Sequence, residues 1–214
     1  MNQALHQNQR VLAGGEPLEE ARAAMIMLHG RGAGARDILG LASYLKVEGF
    51  AFLAPQAAHS VWYPDRFMAP LQSNEPWLSS ALQRVGEMLE HCREKGIPAQ
   101  RTVLLGFSQG ACLALEYAAR NARRYGALAA LSGGLIGPPE EPRNDQGHLQ
   151  GTPVYLGCSD VDPHIPLERV EFSAAHLEEM GGEVKKEIFP AMGHTVMPEE
   201  LDQVASLMRE LARA

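Results

Sequence analysis

A serine in the segment Gly106–Gly110, whose sequence is Gly-Phe-Ser-Gln-Gly, has the surroundings of a nucleophile. The pattern G-x-S-x-G is typical of a sharp turn between a strand and a helix, with the serine hydroxyl held out at its tip. Glycine at both ends removes the Cβ atoms that would collide where strand and helix approach each other. Because a free serine hydroxyl is a weak nucleophile at neutral pH, Ser108 needs a base to take its proton and an acid to orient that base.

The residues on either side of this turn predict the strand and the helix that it needs. Thr102–Leu105 is β-branched and apolar, and an alanine-rich stretch of helix-forming residues follows from Ala111. This change of pattern favours a strand, a sharp turn and a helix over the alternative, a glycine-rich turn with an incidental surface serine.

The base is expected among the histidines that follow predicted strands. In an open parallel sheet, functional side chains gather at the carboxyl ends of the strands. Of the eight histidines, those at or just past strand ends are His29, His164 and His194. His194 follows the last predicted strand, Glu183–Phe189, and it is the candidate base for Ser108.

The acid is expected in the turn after the predicted strand Pro153–Gly157. Asp160 and Asp162 both lie in that turn. Asp162 directly precedes Pro163, which restricts the backbone, whereas Asp160 suits a turn-forming role. This favours Asp162 without excluding Asp160. The order along the chain, Ser, Asp, His, is the one expected of α/β-hydrolases and differs from the orders in chymotrypsin and subtilisin.

Two backbone N–H groups are needed to stabilise the oxygen that becomes negative when a carbonyl is attacked. One is expected from Gln109, directly after the nucleophile at the start of the helix. The other is expected from the loop 29–32, His-Gly-Arg-Gly, which follows the early strand Ala23–Leu28, and Arg31 is the candidate. Together with the nucleophile, the base and the acid, these amides would form a site for acyl transfer.

The same loop also offers a competing interpretation. Gly30, Gly32 and Ala35 match the dinucleotide-binding pattern G-x-G-x-x-A after a strand, which would indicate a nicotinamide oxidoreductase. That pattern also requires an Asp or Glu at the end of the next strand, where this chain has Leu53-Ala54-Pro55-Gln56. No HExxH, paired-cysteine or Walker motif is present, so neither a metal nor another cofactor is expected.

Strand and helix patterns alternate along the chain, which predicts an α/β protein with the α/β-hydrolase fold, a mostly parallel central sheet flanked by helices. The predicted strands are Arg10–Ala13, Ala23–Leu28, Phe50–Ala54, Thr102–Leu105, Ala127–Leu131, Pro153–Gly157 and Glu183–Phe189, the last with charges that suit an exposed edge. The predicted helices are Asp37–Val47, Glu75–Lys95, the stretch after Ala111, Leu167–Met180 and Pro198–Ala212. Residues 1–8 are polar and are expected to be loosely held.

Length and composition predict a single domain over residues 1–214, with no large lid domain. The formal charge of −7, without a cluster of Lys and Arg, argues against nucleic acid as a partner. Three cysteines at unrelated spacings suit reduced core thiols better than a disulfide framework. No apolar leader segment and no run of about 18 apolar residues is present, so a cytoplasmic protein without a membrane span is expected.

Six segments form a longer pattern that extends from about residue 23 over nearly the whole chain: LHGRGAGARD, APQA, NEPW, GFSQGA, SDVDPHIPL and GHTVMPEEL. Together they resemble the phospholipase/carboxylesterase family, which includes the acyl-protein thioesterases. The resemblance implies that Ser108, Asp162 and His194 are the catalytic triad and that Arg31 and Gln109 provide the oxyanion amides. Homodimers are common in that family, so a homodimer is a further expectation.

The chain departs from the thioesterase branch in having Arg31, where leucine is usual, and in the segment Trp62-Tyr63-Pro64. These differences favour a serine carboxylesterase that hydrolyses small to medium esters through an acyl-enzyme intermediate. Acyl-protein thioesterase or lysophospholipase activity is the alternative within the same chemistry. A relative that binds a ligand or partner without turnover is the alternative of another class.

Aromatic and apolar residues in the loops near the predicted site are candidates for the pocket of a small-molecule ester, and ordinary packing is the competing explanation for them. They are Trp62, Tyr63, Phe67, Leu71, Trp77 and Met192.

Overall fold

Residues 4–213 are described by the computed structural model, and seven strands form one sheet in them. The strands are β1 (Val11–Gly15), β2 (Ala23–Leu28), β3 (Phe50–Pro55), β4 (Thr102–Phe107), β5 (Ala127–Leu131), β6 (Pro153–Ser159) and β7 (Glu183–Phe189). Their order across the sheet is β1-β3-β2-β4-β5-β6-β7. β1 pairs antiparallel with β3 and all other pairs are parallel, which confirms the predicted sheet.

The helices are α1 (Ala35–Gly40), α2 (Ala42–Leu45), α3 (Trp77–Glu94), α4 (Gln109–Arg120), α5 (Leu167–Glu179) and α6 (Pro198–Arg213). They cover both faces of the sheet and form two cores with it. One core includes Leu78, Leu113 and Val170 from α3, α4 and α5, and the other includes Ile38 and Val204 from α1 and α6. The central strands are buried on both faces, which is why their sequences are apolar throughout. Of the seven strands described, only β7 contains charged residues, four of its seven, which agrees with the predicted exposed edge.

The predicted helix Asp37–Val47 is instead two short helices, α1 and α2. Gly40 ends the first because glycine disfavours helical structure. Leu41 then donates its backbone N–H to Ile38, three residues back, which tightens the chain into a turn. Lys46, at φ 46°, ends α2. The ends of the other predicted elements lie within two residues of the observed ones.

The N-terminal segment is packed from residue 5 onward, in contrast to the loose tail predicted for residues 1–8, of which residues 1–3 lie outside the described chain. His6 is fully buried. Its backbone N–H donates to Ser80 Oγ on α3 at 3.2 Å, and its ring bonds to the backbone of Ala58 and Trp62. These partners are about 50 to 75 residues away, so no local pattern reveals them.

Buried ion pairs anchor the long loop between β5 and β6. Arg143 Nη1 lies 2.9 Å from Glu116 Oε2 on α4, and Arg143 Nε lies 2.6 Å from Asp145 Oδ2. Asp145 Oδ2 is also 2.9 Å from His176 Nε2 on α5. The loop is therefore tied to two helices.

Within the described chain, no helix is both long enough and apolar enough to cross a membrane.

Candidate active site

Ser108 stands between β4 and α4 in a strained backbone conformation, with φ 54° and ψ −118°. A non-glycine residue held there costs roughly 1–3 kcal/mol and is found mainly at functional sites. The approach of strand and helix is as close as the sequence suggested. A Cβ on Gly106 would overlap the Gly110 carbonyl, and one on Gly110 would overlap the Leu28 carbonyl. Only glycine fits at either position.

Three side chains from three different loops form a continuous hydrogen-bonded line. Ser108 Oγ lies 2.8 Å from His194 Nε2. His194 Nδ1 lies 2.7 Å from Asp162 Oδ2. The Asp162 side chain is fully buried, whereas 18% of the His194 side chain is exposed. The imidazole is therefore fixed by the buried Asp162 on one side and remains partly accessible to solvent.

Asp162 is built to remain ionised. Burial alone would raise the pKa of this carboxyl. The hydrogen bonds from His194 and from the backbone N–H groups of His164 and Ile165, which reach Asp162 Oδ1 at 2.8 and 3.0 Å, outweigh that effect and lower its pKa below the usual value. A carboxylate at this position accepts the Nδ1–H of His194 and leaves Nε2 free to accept the serine proton.

Asp160, the other candidate acid, has a different place. It is exposed, and its Oδ1 accepts the backbone N–H of Ala191 at 2.7 Å. Next to it, Ser159 Oγ donates to the Met192 carbonyl at 2.5 Å. These two bonds join the loop of the acid to the loop of His194. Asp160 thus holds the two loops together and does not contact the imidazole.

The two predicted oxyanion amides lie on the loops that flank Ser108. Gly30 packs so closely that a Cβ there would lie 3.4 Å from Ser108 Cβ, and Arg31 follows it. Gln109 is the first residue of α4. Within residues 4–213, the N–H groups of Arg31 and Gln109 donate to no other protein group. Unpaired N–H groups beside a nucleophile can stabilise an oxyanion.

The side chains of the same two residues hold the segment 62–65 over the site. The Arg31 guanidinium donates to the carbonyls of Tyr63, Pro64 and Asp65 at 2.6–2.9 Å. Gln109 Oε1 accepts the N–H of Trp62 at 2.9 Å, and its Nε2 donates to the Tyr63 carbonyl at 2.8 Å. Segment 62–65 is therefore fixed relative to the predicted oxyanion amides.

An open cavity of about 800 Å³ lies in front of Ser108 and His194. Of the six pocket candidates, Tyr63 and Phe67 line it. The other four, Trp62, Leu71, Trp77 and Met192, are not among its lining residues. Trp62 is fully buried against the loop 29–32, where its Nε1 donates to the His29 carbonyl at 2.9 Å. Packing, the competing explanation, describes Trp62 correctly.

Several apolar residues that the sequence did not predict as pocket residues also line the cavity. They are Pro64, Met68, Ala69, Cys112, Pro163, Ile165 and Pro166. Pro163, Ile165 and Pro166 follow Asp162 closely in the sequence, and this proximity to the predicted acid could have indicated that they line the cavity. Cys112 lies one helical turn beyond Ser108, and burial raises the pKa of its thiol to about 12, so it is an unreactive wall residue. In residues 4–213, no group of three or more His, Cys, Asp or Glu could hold a metal ion.

A buried carboxyl supports the loop that carries His194. Glu200, in the first turn of α6, is fully buried, and its Oε2 accepts the N–H of Met197 at 2.8 Å. Its Oε1 has no hydrogen-bond partner among the described residues. Burial, with smaller contributions from Glu187 and Glu199, raises the pKa of Glu200 to about 7.

Glu200→Gln is expected to make the protein more stable at pH 8 but not at pH 5. The folded-state pKa of about 7 exceeds the ordinary 4.5, so stability from the protonated carboxyl is complete below pH 4.5 and is lost as pH rises through 7. Glutamine can still accept from Met197, and by linkage the gain at pH 8 is at most about 3 kcal/mol. Urea unfolding at both pH values measures it, with the exposed Asp202→Asn as control. An equal effect at both pH values would contradict the raised pKa.

Residues 8–211 match the family model of phospholipase/carboxylesterase. The crystal structure of a phospholipase/carboxylesterase from Dyadobacter fermentans is 42% identical and superposes with a TM-score of 0.90, covering 94% of this chain and 97% of that one.

Two curated relatives carry the name acyl-protein thioesterase 1. The Saccharomyces cerevisiae protein is 26% identical over 90% of this chain and 94% of its own length. The Gibberella zeae protein is 32% identical over 55% of this chain, and the match spans about half of its length, 51%. Since the family model covers the sheet, the helices and all three loops that meet at Ser108, this chain belongs to the phospholipase/carboxylesterase family.

Proposed function

We propose that this protein is a serine carboxylesterase that hydrolyses small to medium carboxylic esters through an acyl-enzyme intermediate. The observation that carries the proposal is the unbroken line from Ser108 Oγ through His194 to Asp162, at 2.8 and 2.7 Å. The two unpaired amides beside the serine add the oxyanion site that acyl transfer requires.

In the first half of the reaction, Ser108 Oγ attacks the ester carbonyl and His194 Nε2 takes the hydroxyl proton. The carbonyl oxygen becomes negative and receives hydrogen bonds from the N–H groups of Arg31 and Gln109. His194 then gives its proton to the departing alcohol, and the acyl group stays on Ser108. Asp162 stabilises the imidazolium throughout without taking its proton.

In the second half, water replaces the alcohol and repeats the path in reverse. His194 takes a proton from water, hydroxide attacks the acyl carbonyl, and the carboxylic acid leaves as Ser108 regains its proton. The cavity supplies room for this exchange because it is open to solvent at His194.

Thioester hydrolysis is the second candidate function, and the names of the yeast and Gibberella relatives favour it. The same machinery would cleave either bond, so substrate preference must decide. A series of p-nitrophenyl esters from two to twelve carbons, tested beside S-acyl thioesters of the same lengths, separates the two. We expect kcat/KM to be highest for the short esters and to fall by about tenfold or more for the longest. A clear preference for long thioesters would instead favour the thioesterase function.

A non-catalytic relative is distinguished by labelling. A fluorophosphonate should modify Ser108 in the folded wild-type protein, because the reagent requires an activated serine. A folded protein that resists labelling and hydrolyses none of the panel would support the binding-only alternative.

Phe67→Ala is expected to shift the preferred ester toward longer acyl chains. Phe67 is buried at the cavity wall, and its removal extends the cavity. Each additional methylene that gains a contact there is worth roughly 1 kcal/mol, or several-fold in kcat/KM. Leu71→Ala is the matched control, since Leu71 belongs to the same connection between β3 and α3 but does not line the cavity. Identical chain-length profiles for both variants would show that Phe67 does not contact the substrate.

A further inference from the structure

His29 sits directly after β2, next to the loop that carries the oxyanion amide of Arg31, and only 1% of it is exposed. Its Nδ1 lies 2.8 Å from the Gly30 carbonyl oxygen. Its Nε2 lies 3.0 Å from the backbone nitrogen of Ala57 and 3.3 Å from Gln56 Nε2. Both ring nitrogens are therefore engaged inside the protein.

These partners determine which ring nitrogen carries the proton. The backbone N–H of Ala57 can only donate, so Nε2 of His29 accepts and carries no hydrogen. Nδ1 then holds the single ring proton and donates it to the Gly30 carbonyl. Burial lowers the pKa of His29, which keeps the ring in this neutral form near pH 7.

The bond to Gly30 helps to set the direction of the Arg31 amide, together with a backbone bond of 3.3 Å that the Ala33 N–H donates to the same Gly30 carbonyl. In a trans peptide the carbonyl oxygen and the following N–H point to opposite sides of one plane. When His29 holds the Gly30 oxygen on its own side, the Arg31 N–H faces away from His29. Glycine at position 30 makes this restraint necessary, because without a Cβ the peptide plane can rotate at little steric cost.

Neighbouring aromatic rings keep His29 in place. Trp62 Nε1 donates to the His29 carbonyl at 2.9 Å, and the two rings are 5.0 Å apart. On the other side of Trp62, the ring of His6 lies at 5.4 Å and its Nε2 bonds to the Trp62 carbonyl at 3.0 Å. The N-terminal segment thus packs, through Trp62, against the loop 29–32.

We propose that His29 is a positioning residue for the oxyanion site: its Nδ1–H, donated to the Gly30 carbonyl, holds the Arg31 N–H toward the carbonyl under attack. The inference rests on the proposed hydrolase function and deepens it. It gives a chemical role to a histidine that never touches the substrate.

Two substitutions of His29 remove its two hydrogen bonds, to the Gly30 carbonyl and from the Ala57 N–H, one at a time. In His29→Asn the side-chain amide occupies the position of Nδ1 and can still donate to Gly30, but the acceptor for Ala57 is lost. In His29→Gln the amide reaches the position of Nε2 and can accept from Ala57, but the donor to Gly30 is lost. We expect kcat on p-nitrophenyl butyrate to fall about 100-fold in His29→Gln and by less than about tenfold in His29→Asn, with KM nearly unchanged in both.

Thermal unfolding of both variants measures their loss of stability, which can be compared with their loss of kcat to test whether His29 has a purely structural role. If the two lose kcat equally, or in proportion to their loss of stability, His29 only supports the fold and the proposal is overturned. A greater loss of kcat in His29→Gln at similar stability supports it, because stability alone does not distinguish donor from acceptor.

A measurement without turnover keeps this inference distinct from the proposed function. Nitrogen-15 NMR of the ring nitrogens, with His29 assigned by its absence in His29→Asn, should show a proton on Nδ1. The backbone amide signal of Arg31 should move more in His29→Gln than in His29→Asn. A proton on Nε2, or an Arg31 signal that moves equally in both, overturns the positioning role. Failure of the wild type to hydrolyse any ester would instead refute the hydrolase function, and the NMR result would still decide the role of His29.

Discussion

Ser108→Ala is expected to reduce kcat for p-nitrophenyl butyrate by about a million-fold. In the proposed mechanism the substitution removes only the oxygen that would form the acyl-enzyme, so His194 would have no hydroxyl to activate. The residual rate reflects substrate binding and the oxyanion amides alone. Stopped assays over several hours, with urea unfolding to show that the fold is intact, measure the change.

Ser132→Ala is the matched control for this result. Ser132 also follows a central strand, and its φ of 52° resembles the 54° of Ser108, although Ser132 is fully buried and Ser108 only partly so. It lies outside the line of hydrogen bonds to His194, so its removal should leave kcat within a few-fold of the wild type. Ester hydrolysis by Ser108→Ala at more than a hundredth of the wild-type rate would mean that another group is the nucleophile.

Asp162→Asn is expected to lower kcat by about ten-thousand-fold, as loss of the orienting acid does in other serine hydrolases. The backbone N–H groups of His164 and Ile165 both point at Oδ1, so the asparagine oxygen will turn toward them. Its NH₂ group then faces His194 Nδ1 and donates to it. This stabilises the tautomer with a proton on Nε2, which cannot accept the proton of Ser108.

Asp160→Asn tests whether this loss is specific to the acid in the line. The asparagine carbonyl can still accept the N–H of Ala191, as Asp160 does now at 2.7 Å. We therefore expect a loss of less than about tenfold, since neutral acceptors retain most of such a bond. If the two variants are equally impaired, the loops rather than the Asp162 carboxylate control the rate.

The fold could be predicted nearly completely from the sequence, because its elements depend on local patterns. β2 is apolar throughout since it is buried on both faces, and β7 carries four charged residues since it is a partly exposed edge. The predicted helix Asp37–Val47 is the exception, because it is divided after Gly40, whose helix propensity is weak.

Some residues in and around the candidate site could be predicted from the sequence and others could not. Ser108, Asp162 and His194 stand at strand ends, and parallel strands bring such positions to one edge of the sheet, where the structure joins them. The positions of Trp62 and His6 cannot be predicted in this way, because neither residue directly follows the end of a predicted strand. Their partners come from segments distant in the chain, so neither burial nor orientation is encoded in a nearby pattern.

The sequence by itself determined the elements of the sheet, the sharp turn at Ser108 and the order in which nucleophile, acid and base occur, because periodicity and glycine placement act over a few residues. The sequence favoured Asp162 over Asp160, and the tertiary structure shows the contact of Asp162 with His194. Tertiary structure alone decided that Tyr63 and Phe67 rather than Trp62 face the cavity. Those outcomes depend on hydrogen bonds and packing between loops that meet only when the sheet has formed.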